Sequence, residues 1–202
     1  MVLSCCPEEM HQWERFQVES EWFPTRLRCF VVGENPGSSK AAYFYDVKKA
    51  VPVRTILLRE LYQSRILAEP TLAAFRSAGF LFDHGIRCRL PKNEIGKERR
   101  LAQQYKSPRA NAATHLESLL RGATAVWVMG YVARNAVAAP RSELPRDFFD
   151  ISSSPYPGQS REAARFFVSR YLTRAPREEV VRIFREFVRF WNRVHDGNGA
   201  SV

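Results

Sequence analysis

The stretch Cys29-Phe30-Val31-Val32-Gly33-Glu34-Asn35-Pro36-Gly37 constrains this chain more than any other. A short run of strand-forming apolar residues passes directly into a turn whose Gly, Asn and Pro each favour a sharp change of backbone direction. An apolar run that does not alternate reads as a strand covered on both faces, the condition of parallel sheets. Polar groups just past the C-terminal end of such a strand stand where α/β proteins build their sites. The same residues also form ordinary tight turns, so Glu34 and Asn35 gain meaning only from what else reaches that edge.

The rest of the chain supplies the partners such a strand needs. Phe80–Ile86 and Ala123–Met129 read as two more buried strands, and Phe148–Ile151 as a short fourth. Helical spacing lies between and around them. Val53, Ile56, Leu57 and Leu61 mark a helix from Pro52 to about Leu67, and Pro70–Ala78 a shorter one stopped by Gly79. Leu116, Leu119 and Leu120 mark a third ending at Gly122, and Gly130 opens another with Val132, Ala136 and Val137. Ala163, Ala164, Phe167, Val168 and Tyr171 read as a helix, as do Val180, Phe184, Phe187, Trp191 and Val194 after Pro176. Strands alternating with helices predict a three-layer α/β/α fold with a central, mostly parallel four-stranded sheet. One domain spans residues 1–202, with a core over about 27–172, an N-terminal helix over about 7–22 and a C-terminal helix over about 176–195.

Charge narrows the partners. The 31 Lys and Arg against 21 Asp and Glu give a formal net charge of +10, which favours a polyanion through counterion release. No run reaches transmembrane length and no apolar signal segment follows Met1, so no membrane partner is expected. Cys5, Cys6, Cys29 and Cys88 lack the spacing of a disulfide framework, which fits a reducing, cytoplasmic setting. His11, His84, His115 and His195 show no metal-ligand spacing, so no metal and no cofactor is expected. Nothing requires more than a monomer.

Taken in order, these elements resemble the uracil-DNA glycosylase superfamily over roughly Leu27 to Phe167. Gly33-Glu34-Asn35-Pro36-Gly37 is similar to its first motif, a turn after the first strand. Asn35 resembles the mismatch-specific and single-strand-selective branches, and Glu34 the iron-sulfur branch. Phe82-Asp83-His84-Gly85-Ile86-Arg87-Cys88-Arg89-Leu90-Pro91 resembles the second-strand region of the iron-sulfur branch, and Val126–Gly130 its third strand. Ser154-Pro155-Tyr156-Pro157 falls where the family carries His-Pro-Ser-Pro or Asn-Pro-Ser. The iron-sulfur branch needs four thiolates, whereas here only Cys88 matches a ligand position and Ala112 stands at the expected fourth. No cluster is expected.

The resemblance implies a monofunctional DNA glycosylase acting on single- or double-stranded DNA in base-excision repair, removing a deaminated or mismatched base by base flipping. Catalysis would fall to Asn35, holding water, with Glu34, His84 and Ser154; His84 would read the base or donate to its developing negative charge. Gly33, Pro36 and Asp83 would shape the base pocket, with one of Tyr43, Phe44 and Tyr45, Tyr45 preferred, stacked on the base. Ser153, Pro155, Tyr156, Gln159, Arg161 and Arg165 would grip DNA. Ser154 can donate a hydrogen bond but cannot carry positive charge, and Gly158 is too small to fill a vacated base stack. A silent nucleic-acid-binding member, or an unrelated α/β enzyme of small molecules, therefore stands as an alternative.

Overall fold

A computed structural model describes residues 20–34, 43–85, 119–130, 133–134, 137, 161–163 and 165–196. Five strands form one sheet: β1 (Cys29–Gly33), β2 (Phe80–His84), β3 (Ala125–Met129), β4 (Arg161–Ala163) and β5 (Phe166–Ser169), in the order β2-β1-β3-β5-β4. β2, β1, β3 and β5 are parallel, and β4 closes one edge as an antiparallel partner of β5. The helices are α1 (Pro52–Gln63), α2 (Leu72–Ser77) and α3 (Arg177–Asp196), with short 3-10 turns at Ser20–Trp22 and Leu172–Arg174.

Alternate residues of each strand enter two separate cores. Cys29, Val31, Phe80, Phe82, Ala125, Trp127, Met129 and Phe167 face the core shared with α1, α2 and α3. Phe30, Val32, Leu81, Val126, Val128, Phe166 and Val168 face the other, packed by Leu119, Leu120, Ala133 and Val137. Burial on both faces is why these strands read as unbroken apolar runs. The result is the three-layer α/β arrangement.

α3 shares the first of these cores with α1 and α2. Val180, Ile183, Phe184, Phe187, Phe190 and Trp191 recur at helical spacing and are buried, while Glu178 and Glu179 sit in its first turn and Arg193 and His195 in its last, complementing the helix dipole. The Phe187 ring stacks on Trp127 at 4.2 Å, and Phe184 meets Trp127 edge-on at 5.2 Å. The buried indole N–H of Trp127 donates to Ser169 Oγ at 2.9 Å, satisfying the polar end of a fully buried ring.

The fourth parallel strand departs from expectation. Phe166–Ser169, read from sequence as part of a helix, is the strand beside β3, with Val126 opposite Phe166 and Met129 opposite Ser169. Phe-Phe-Val-Ser is too short for its period to separate strand from helix, and the open edge of β3 decides it. The expected strand over 148–151, the helix over 108–118 and the N-terminal helix before Ser20 lie outside the described residues.

Candidate functional site at the C-terminal edge of the sheet

Because β1, β2, β3 and β5 run in one direction, the residues that follow them gather at one edge. β1 delivers Glu34, β2 ends in Asp83 and His84, β3 ends beside Gly130, and β5 leads through Ser169 into Arg170, Tyr171 and the turn bearing Arg174. The register sets Gly33 opposite His84, and the Gly85 N–H donates to the Gly33 carbonyl at 2.8 Å.

Glu34 is the centre of this edge. Its side chain is 4% exposed, and its two oxygens lie 2.9 and 3.2 Å from the two terminal nitrogens of Arg174. This forked pairing suits the planar guanidinium. Gly130, at φ +89°, makes room for it: a Cβ there would lie 2.4 Å from Glu34 Oε1. The Arg174 guanidinium also lies over the Tyr171 ring at 5.6 Å. Burial, reinforced by the nearby Glu34 charge, pushes the Tyr171 phenol well up, so the hydroxyl stays protonated and able to donate.

Asp83 and His84 are 1% and 4% exposed. The Asp83 carboxylate accepts the His84 backbone N–H at 2.7 Å, closing the end of β2, and the His84 ring meets Phe82 edge-on at 5.2 Å. Gly33 is required by packing, since a Cβ there would fall 2.6 Å from Phe82 Cζ and 3.4 Å from His84 Nδ1.

The aromatic trio sits deeper than a base-stacking role supposes. β2 is an edge strand, and the Tyr45 hydroxyl satisfies its outward face, donating to the Phe82 carbonyl at 2.9 Å and accepting from the Phe82 N–H at 2.8 Å. Trp22 stacks on the Tyr45 ring at 5.3 Å. Phe44, 1% exposed, stacks on Phe82 at 4.1 Å. Both rings are committed to the core. Tyr43 is half-buried and meets Tyr45 edge-on at 5.8 Å. Arg54 of α1 holds this segment by donating to the carbonyls of Phe44 and Asp46, each at 2.7 Å, and of Lys49.

Asn35, Pro36, Ser153, Ser154, Pro155, Tyr156 and Gln159 lie outside the described residues. Arg161 and Arg165 belong to one antiparallel strand pair. β4 begins with Arg161 opposite Val168, toward the site's edge, whereas Arg165 precedes β5 at the far edge, where its guanidinium donates to the Leu120 carbonyl. The residues following the outer parallel strand are Arg170 to Arg174, and sequence reading passed over them and Gly130 because no local pattern ties them to Glu34.

Among the described residues no group of three His, Cys, Asp or Glu could hold a metal ion, and no helix is long and apolar enough to cross a membrane. The chain matches no protein-family model, and no curated protein matches it.

Proposed function

We propose that this protein is a DNA glycosylase that hydrolyses the N-glycosidic bond of a deaminated or mismatched base, acting in the cytoplasm on single- or double-stranded DNA. The observation that carries the reading is the buried, arginine-paired carboxylate of Glu34 at the edge where β1 and β2 end in register, directly before Asn35 and facing the strand that ends in His84. Cleavage of a base from deoxyribose develops positive charge on the sugar and negative charge on the leaving base. A fixed carboxylate opposes the first charge. Asn35 orients the water that bonds to the anomeric carbon as the carbon–nitrogen bond breaks, the bond's electron pair leaving with the base and the water's spare proton passing to solvent. His84, at the end of β2, donates to the departing base, and Tyr43 is the member of the aromatic trio left to meet it. The net charge of +10 supports a polyanionic substrate.

The test is a low-salt assay on oligonucleotides carrying uracil, hypoxanthine, xanthine or mismatched thymine, with Glu34→Gln, Asn35→Ala and His84→Ala beside the parent. Alkali-dependent strand cleavage that Asn35→Ala abolishes and Glu34→Gln lowers by about a hundredfold or more is expected. Binding of every oligonucleotide without cleavage of any would overturn the reading and leave a silent nucleic-acid-binding protein.

A further inference from the structure

The opposite, N-terminal edge of the sheet carries a cleft of about 330 Å³ lined by Trp22, Thr25, Arg26, Arg28, Ala73, Arg76, Ser77 and Gly79, three of them arginines. Its floor depends on Gly79. At φ +85° this residue ends α2 and lets its carbonyl accept the N–H groups of Arg28 and Cys29 at 2.8 and 3.0 Å. A Cβ there would lie 2.8 Å from the Arg26 carbonyl oxygen and from Arg28 Cγ. The chain before β1 and the turn before β2 are thus held in direct contact, and the arginines of both segments share one concavity.

Neutral groups orient two of these guanidiniums. Arg76 Nε donates to the Phe23 carbonyl at 3.0 Å, and the Arg28 guanidinium lies over the Trp191 ring at 4.9 Å. Among the described residues none of the three arginines has a carboxylate within ion-pairing distance, whereas Arg59, Arg170, Arg174 and Arg182 all do. Among the described residues no acidic side chain lines the cleft. Three like charges in one concavity repel, and a bound anion relieves that repulsion.

We infer that this cleft binds a phosphate group. Guanidinium forks match phosphate oxygens in pairs, and the Thr25 and Ser77 hydroxyls offer further donors. The volume lies at the lower end of the range of small-molecule pockets, so it admits a phosphate together with part of what carries it. The carrier is a free nucleotide or the terminal phosphate of a nucleic-acid strand. The strands separate this cleft from the Glu34 edge by about 15 Å, so the inference stands whether or not that edge is catalytic.

Calorimetric titration of the full chain at low salt decides it, with inorganic phosphate, a nucleoside 5′-monophosphate, and a short oligonucleotide with and without a 5′-phosphate as probes. The variant is Arg26→Gln with Arg76→Gln, both exposed positions, and Arg185→Gln on the exposed face of α3 is the control. Phosphate-bearing probes are expected to bind the parent and the control alike, and the double variant at least tenfold more weakly, with a shallower salt dependence. Tighter binding of the mononucleotide identifies a free nucleotide as the ligand. A gain from the 5′-phosphate on the oligonucleotide identifies a strand end. No binding of any phosphate-bearing probe at millimolar concentration, or equal binding by the double variant, overturns the inference.

Discussion

The carboxylate of Glu34 and the guanidinium of Arg174 meet at 2.9 Å although 140 residues separate them. One directly follows the first strand and the other ends the turn after the last, so their contact ties the two ends of the sheet's chain order across the candidate site. Glu34 is enclosed while Arg174 is half exposed, which places the desolvation cost on the carboxylate.

Removing one partner is therefore asymmetric. Arg174→Ala leaves a buried carboxylate without its pair and is expected to cost about 1–3 kcal/mol, less than for a fully buried pair because solvent screens the arginine. Glu34→Gln leaves the exposed guanidinium hydrated and costs less. Urea unfolding of both single variants and the double tests this. Equal costs for the two single variants would show that the pair is not carried by the buried side.

Gly130→Ala is expected to disturb the same carboxylate from the other side. The positive φ alone costs about 1–2 kcal/mol for a residue with a Cβ, and the added methyl displaces Glu34 Oε1. Thermal unfolding should show the loss. The proposed base-excision activity should fall with it by more than in Arg185→Gln, which lies away from the site.

Tyr45→Phe separates an edge-capping hydroxyl from a base-stacking ring. The ring is kept, but both outward polar groups of Phe82 lose their partner, an expected loss of about 1–3 kcal/mol. In the proposed glycosylase reaction, KM for a damaged oligonucleotide should stay close to that of the parent. Unchanged stability would show that the hydroxyl does not cap the strand and would return the Tyr45 ring to the substrate.

Alkaline pH should unfold the protein through the groups it buries. Burial pushes the Cys29 thiol and the Tyr45 phenol well above their ordinary values of 9.0 and 10.0. As pH rises past 9 and then 10, the unfolded chain releases these protons while the folded chain keeps them, so stability falls. The slope is up to about 1.4 kcal/mol per pH unit for each group. Chemical denaturation between pH 7 and 11 measures it, and Tyr45→Phe should flatten the upper part of the curve.

Much of the frame was legible in the chain alone. Cys29–Gly33, Phe80–Phe82 and Ala125–Met129 are unbroken apolar runs, and burial on both faces of a parallel sheet demands that pattern. α3 was equally plain, because Val180, Phe184, Phe187 and Trp191 repeat at helical spacing over 20 residues. The gathering of Glu34, Asp83 and His84 at one edge followed from strand direction. Phe166–Ser169 was not legible as a strand, since four residues contain too little period and the decision belongs to β3, whose free edge it pairs. Tyr45 looked like a ring for a ligand because sequence does not show which strand lies at the sheet's edge and needs its hydroxyl. Arg174 and Gly130 acquired their roles only when β1, β3 and β5 were laid side by side. An ion pair across 140 residues leaves no local trace, because what joins its partners is the order of the strands.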